Sequence, residues 1–255
     1  MPITVTELST TPVKSTRLQV VQKIALGRAG VRDNRRFYVI DARRRLVNGK
    51  RLGELSAIVA EYTHPRLRLT FPDGTIAEDE VVLGDEVKTK FFSVSDSGRL
   101  LKGPWAQALS DYTGQPLELV EARASAIDRG SMGVASVISR ASLARLAEEN
   151  GDDDIDWRRF RMLIEVDGVG AHEEDRWVGR STRIGGAVIK WGGNVGRCLT
   201  TSRDPDTGKV DLPTLDMLRS YRGSVDATEP LPFGVYGEVL EEGEITVGDQ
   251  VELLD

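Results

Sequence analysis

The chain has 255 residues, 40% hydrophobic and 29% charged, with a formal net charge of −6. That length holds one large domain or two small ones with real cores, and the acidic balance argues against wholesale nucleic-acid binding. A single cysteine excludes an intrachain disulfide framework and fits a reducing compartment.

No apolar run approaches the roughly 18 residues that span a bilayer. The start, Met1-Pro2-Ile3-Thr4-Val5, lacks the basic stretch and apolar block of a signal peptide. A cytoplasmic location, no membrane segment and no nucleic-acid partner are therefore expected.

In chain order, Ile3 to Leu8 alternates and reads as an entering strand, followed by a turn over Thr11-Pro12-Val13-Lys14-Ser15-Thr16. Leu18 to Leu26 is rich in β-branched residues and reads as one second strand. Gly27 to Arg36 is a basic loop carrying Arg28, Arg32, Arg35 and Arg36. Phe37-Tyr38-Val39-Ile40-Asp41 is a short buried strand, and Ala42 to Arg51 a charged hairpin. Arg66 to Phe71 alternates into a Pro72-Asp73-Gly74-Thr75 turn. Val81 to Val87 and Ile245 to Val251 both read as strand, Gly-Asp turn, strand.

Three helices are expected, about Pro104–Tyr112, Ala141–Asn150 and Pro213–Tyr221. Two open on proline, and each is followed by glycine, at Gly114, Gly151 and Gly223. The remaining strands recur at the spacing of barrels and sandwiches. The 26 glycines exceed the usual share of about 7%, as many tight turns require. The fold class is mainly β (α+β). Asp111 to Glu121 reads as a seam, dividing the chain into domains 1–116 and 117–255.

His64 precedes Pro65 and His172 precedes Glu173-Glu174, so both read as surface loop residues, and a histidine-based zinc site or Ser-His-Asp pair has little to draw on. Gly151 to Asp156 is a solvated acidic loop. Asp204-Pro205-Asp206-Thr207-Gly208 reads as a plain turn, since the spacing and closing glutamate of a calcium loop are missing.

Four basic segments suit an anionic ligand: Lys14-Ser15, the loop ending at Arg35, Arg159-Phe160-Arg161, and Arg197. Arginine forks bind phosphate bidentately, and lysine adds a compact charge. Cys198 follows Arg197, which favours the thiolate. It precedes Thr200-Thr201-Ser202, expected as a polar strand ill suited to a core.

These pieces together resemble the MOSC-domain family carrying its N-terminal β-barrel domain, which includes the mitochondrial amidoxime-reducing component and the C-terminal domain of molybdenum cofactor sulfurase. The most specific element is Arg197-Cys198-x-x-Thr201-x-x-Asp204-Pro205-x-Thr207-Gly208. Pro12-Val13-Lys14-Ser15, Gly30 to Phe37, Ser139 to Leu143, Arg159-Phe160-Arg161, Glu174 to Trp177, Phe233 to Tyr236 and Gly243 to Asp249 follow the family's order. The chain departs from the family pattern at Thr11, Asn34 and Met162-Leu163.

The resemblance implies an antiparallel β-barrel MOSC domain plus a smaller β-rich N-terminal domain, with residues 1–30 packing against the barrel. It implies the molybdenum cofactor (Mo-molybdopterin), Cys198 as metal ligand and catalytic residue, Lys14, Ser15, Arg35, Arg161 and Arg197 as its holders, and Tyr236 beside the site. No pyridoxal phosphate is expected. The implied activity is reduction of N-hydroxylated small molecules, with electrons from a separate donor: a flavin reductase, a cytochrome b5-like protein or an iron–sulfur protein. A sulfur or molybdopterin carrier using Cys198 as persulfide or ligand, and a metal-free relative diverted to a biosynthetic reaction, are the alternatives left open.

Overall fold

A computed structural model describes residues 2–91 and 94–254. Its largest sheet has eight strands, in the order Val251–Leu254, Ser181–Ile184, Ala187–Gly196, Pro232–Glu241, Ala135–Ser139, Ile164–Asp167, Thr4–Thr10 and Gln19–Val21. Every neighbouring pair is antiparallel except Ala135–Ser139 with Ile164–Asp167, which run parallel. Helix α2 (Arg140–Glu148) lies between those two strands in sequence, as a parallel crossover requires. The first strand therefore belongs to the sheet of the second half. Val5, Leu8, Ile24 and Leu26 share one apolar cluster with Trp177, Trp191 and Val235.

A second sheet runs in the order Val82–Phe91, Val94–Lys102, Leu117–Ala122, Phe37–Asp41 and Leu46–Val47. Its centre shows why Phe37 to Ile40 is apolar throughout. Phe37 and Val39 enter one cluster with Leu55 and Trp105, while Tyr38 and Ile40 enter another with Phe91 and Ala126. A strand buried on both faces has no polar side to offer. Leu117–Ala122, past the expected domain boundary at 116, is hydrogen-bonded to Phe37–Asp41 and so lies within this sheet. Its Leu117 and Leu119 face one core and its Val120 and Ala122 the other.

The helices fall where expected: α1 is Trp105–Thr113, α2 as given, and α3 is Thr214–Arg222. Gly114 ends α1 in left-handed backbone, φ 68°, a conformation that costs glycine little. Ser139 caps α2, accepting from Ser142 N–H at 3.1 Å.

Three local expectations change. Leu18 to Leu26 is two strands, Gln19–Val21 and Lys23–Gly27, which pair with Thr4–Thr10 and Gly243–Thr246. Gln22 is the corner between the eight-stranded sheet and a three-stranded sheet of Gly243–Thr246, Lys23–Gly27 and Gly30–Val31, its carbonyl taken by Val247 N–H at 2.9 Å. Gly84-Asp85 is not a turn but a bulge inside Val82–Phe91, where Arg99 donates twice to the Gly84 carbonyl at 3.1 and 3.0 Å. His172 does sit in a loop, but its ring packs 5.6 Å from Tyr221 and 5.7 Å from Phe233. Burial, with help from Arg222 and Arg145, pulls its pKa down to about 4.

Candidate active site

Two short segments of the first half build one wall. Lys14 N–H donates to Phe37 O at 2.8 Å and Phe37 N–H to Pro12 O at 2.9 Å, while Arg35 N–H donates to Thr11 O at 2.7 Å. Asn34 completes this joint: its Oδ1 accepts from Thr11 N–H at 3.1 Å. The opposite wall comes from the second half. Arg161 ends the tight turn Trp157–Phe160, Arg197 and Cys198 follow the strand Ala187–Gly196, and Tyr236 lies in Pro232–Glu241. All seven residues singled out in the sequence line one cavity of about 490 Å³.

Ser15, Arg35 and Arg161 hold left-handed backbone, with φ of 76°, 52° and 55°. Non-glycine residues pay for that conformation, and such strain gathers at functional sites. Ser15 Oγ accepts from Gly49 N–H at 3.1 Å, which fixes the Asn48-Gly49-Lys50 loop at the cavity rim.

Seven lining side chains are cations and two are carboxylates, Asp128 and Glu229. Lys14 Nζ lies 2.7 Å from Asp128 and donates to Ala126 O at 2.7 Å. Desolvation, opposed by Asp128 and reinforced by Arg35, brings Lys14 down to about 8. Desolvation would raise Asp128, but Lys14, Arg35 and Arg129 outweigh it and hold that carboxyl below its ordinary value. Burial also lowers Arg35, Arg161 and Arg197, yet a guanidinium stays charged at neutral pH. Arg35 and Arg161 each donate to a carbonyl, Arg161 O at 3.0 Å and Thr16 O at 2.8 Å, and among the described residues neither pairs with a carboxylate.

Arg197 is placed differently. It borders the cavity, but it donates to Phe233 O and, at 2.9 Å, to Phe160 O, reaches Met162 Sδ at 3.1 Å, and stacks 5.2 Å from the Phe160 ring. Its fork braces the floor. Met162 is thus the thioether partner of that brace. Arg159 is spent on Asp211, at 2.6 and 2.7 Å.

Cys198 is exposed. Its Sγ lies 3.5 Å from Thr200 Oγ1. Leu199–Ser202 is a single tight turn rather than the polar strand expected, and Thr201 and Ser202 are buried in it. Thr201 Oγ1 donates to Cys198 O at 3.0 Å and Thr214 Oγ1 to Thr201 O at 2.9 Å, so the hydroxyl and the carbonyl of Thr201 are both satisfied where they lie. Asp204–Gly208 is a plain turn: Asp204 Oδ1 accepts from Thr207 N–H at 2.8 Å and Thr207 Oγ1 at 2.7 Å.

Asp128, Arg129 and Glu229 line the cavity unforeseen. They sit in aperiodic connections, and the one local cue was an Asp-Arg pair before Gly130.

The MOSC domain matches residues 126–252, and the MOSC N-terminal beta barrel domain matches residues 2–116. Mitochondrial amidoxime reducing component 2 of Bos taurus is 37% identical over 122 residues, 45% of this chain and 35% of the relative. The Homo sapiens component 2 is 41% identical over 100 residues, 36% of this chain and 29% of the relative. Component 1 of Mus musculus is 38% identical over 125 residues, 46% of this chain and 36% of the relative. The matches thus span about a third of the length of these curated relatives. Among solved structures, the YUAD protein of Bacillus subtilis aligns over 99% of this chain and 96% of its own, at 11% identity and a TM-score of 0.47. Two family domains matched side by side, over a fold that is mainly β with three α-helices among the described residues, make this chain a member of the MOSC-domain family with the MOSC N-terminal β-barrel domain.

Proposed function

We propose that this chain is a molybdenum-cofactor oxidoreductase that reduces N-oxygenated compounds such as hydroxylamines, amidoximes or N-hydroxylated bases. The observation that carries the reading is the cavity wall, where one exposed thiol, Cys198, shares a concave surface with recessed cations that lack a carboxylate partner.

The residues fit such a cofactor. Among the described residues, no group of three or more His, Cys, Asp or Glu side chains is gathered to hold a metal. A metal bound here would draw on Cys198 and bring its remaining ligands with it, as a metal on a pterin dithiolene does. A thiolate is the soft ligand suited to it. Arg35 and Arg161 have guanidinium donors free for an anionic end, and a volume of about 490 Å³ falls in the range of cofactor and substrate pockets.

The cofactor, when bound, supplies two-electron chemistry at its metal, and the protein supplies binding and orientation. Cys198 would ligate the metal. Lys14, Arg35 and Arg161 would hold the phosphate, with Ser15 keeping the rim loop in place. Arg197 would fix the floor beneath Cys198, and Tyr236 would border the substrate. A separate flavin reductase, cytochrome b5-like protein or iron–sulfur protein is the proposed electron donor, and the cytoplasm the proposed compartment. No helix among the described residues is long and apolar enough to cross a membrane.

The exposure of Cys198 favours a second reading, a carrier of sulfur or of the pterin. Protein made in a molybdenum-replete host distinguishes the two. The reductase is expected to hold about one molybdenum per chain, with pterin, and to turn over an N-hydroxylated substrate with an artificial donor. A persulfide mass on Cys198 without metal supports the carrier instead. No metal, together with unchanged activity in Cys198→Ala, overturns the leading reading.

A further inference from the structure

Arg129 lies in the connection from Leu117–Ala122 to Ala135–Ser139, and Glu229 in the connection from α3 to Pro232–Glu241. The two side chains meet at the cavity. Arg129 Nε donates to Glu229 Oε1 at 3.0 Å, and its Nη2 donates to Oε1 at 2.8 Å and Oε2 at 2.6 Å. The guanidinium carbon stands 4.5 Å from the centroid of the Tyr236 ring.

Glu229 is fixed from its other side. Its Oε2 accepts from Gly196 N–H at 2.9 Å, two residues before Cys198. A Cβ on Gly196 would lie 2.8 Å from that oxygen and 2.9 Å from Glu229 Cβ, so only glycine lets the two segments approach this closely. The neighbouring Thr228 Oγ1 accepts from Asn194 N–H at 2.7 Å, which pins the loop again. The carboxylate is therefore positioned by the strand that delivers Cys198 to the cavity.

The outcome is a planar N–C–N cation gripped along its edge by a carboxylate and across its face by an aromatic ring. Amidines and N-hydroxylated amidines have the same planar N–C–N outline, and carboxylate forks and aromatic faces are the groups that recognise it. The ion pair is not sealed in. Arg129 keeps 27% and Glu229 31% of their side-chain exposure, and ion pairs open to water contribute little to stability.

We propose that Glu229 and Tyr236 form an amidine-binding subsite, which Arg129 occupies in this structure and which an amidine-bearing substrate or product takes over by displacing it. Its part in turnover rests on the reductase reading above. An amidine product is a stronger base than its N-hydroxylated precursor and carries a full positive charge. Arg129 is then a built-in competitor that returns to Glu229 and helps the product leave.

Benzamidine, titrated calorimetrically into the isolated full chain, tests the subsite without any reaction. Removing the competitor in Arg129→Met is expected to tighten benzamidine binding about threefold or more, and Glu229→Gln to weaken it about tenfold. The glutamine keeps an acceptor for Gly196 N–H, and the melting temperature of each variant reports its fold. Benzamidine binding no tighter in Arg129→Met, or unchanged in Glu229→Gln, overturns the assignment. Since turnover is not read, a protein that reduces no N-hydroxylated compound can still pass, and one that reduces them can fail.

Discussion

Arg35 reaches across the cavity to donate from Nη2 to the main-chain carbonyl of Arg161 at 3.0 Å, and both residues hold left-handed backbone. Two strained cations from distant parts of the chain are locked to one another, and among the described residues neither pairs with a carboxylate. Left-handed backbone costs a non-glycine residue roughly 1–3 kcal/mol.

Glycine adopts φ near 55° without that cost, so Arg161→Gly separates strain from function. It loses the bond to Thr16 O, about 1 kcal/mol, and regains a similar amount from backbone relief. The melting temperature is expected to stay within about 4 °C of the parent. Affinity for inorganic pyrophosphate is expected to fall about tenfold or more. Unchanged pyrophosphate binding would show that Arg161 does not face the anion.

Lys14 gives the site a pH signature. Its pKa is lowered from 10.5 to about 8, chiefly by desolvation. Between those values the unfolded chain binds more protons than the native one. Its contribution to stability is therefore greatest above the ordinary lysine value and is lost as pH falls to about 8. Anion binding runs the opposite way, because it needs the ammonium form. Pyrophosphate affinity should decline above a pH of about 8, approaching tenfold per pH unit. Lys14→Met should bind weakly and show no such decline. A parent profile that stays flat across this window excludes Lys14 as an anion contact.

Much of this architecture is local and therefore readable from sequence. Pro104 and Gly114 bracket α1 because proline suits a helix start and glycine a left-handed end. The apolar run Phe37 to Ile40 announces a strand buried on both faces. The seven candidate residues came from a motif resemblance rather than from spacing, and they line one cavity. Gly84 had no such cue: Gly-Asp reads as a turn, and only the distant Arg99 makes it a bulge. Nor could sequence tell that Arg197 braces carbonyls while Arg35 and Arg161 keep free donors, since all three read alike as cations. Arg129 and Glu229 meet only through tertiary structure.

Cys198 should be dispensable for the fold. It is exposed, and its thiol makes one weak approach to Thr200. Cys198→Ser is expected to change stability by less than about 0.5 kcal/mol, while metal content drops to background. Thermal melting and elemental analysis of the same preparation check both. A large loss of stability would mean that the thiol is a packing group rather than a ligand.

The turn that follows Cys198 is held against the first half by backbone contact, and this makes the sharpest stability prediction. Gly208 has φ 72°, and a Cβ there would fall on the Gly53 carbonyl, in the tight turn Gly53–Ala57. Arg203 closes the joint by donating to Gly208 O at 2.7 Å. Ion pairs flank it: Asp206 lies 2.9 Å from Arg158 and 3.4 Å from Arg17. These pairs are partly open to water, so Asp206→Asn is expected to cost about 1 kcal/mol or less. Gly208→Ala combines left-handed strain with a backbone clash that no rotamer relieves, and is expected to cost about 3 kcal/mol or more. That corresponds to a fall in melting temperature of roughly 6 °C or more. The order of the two effects is the test. If Asp206→Asn is the more damaging, the halves are joined beside Cys198 by charge rather than by the approach of two glycines.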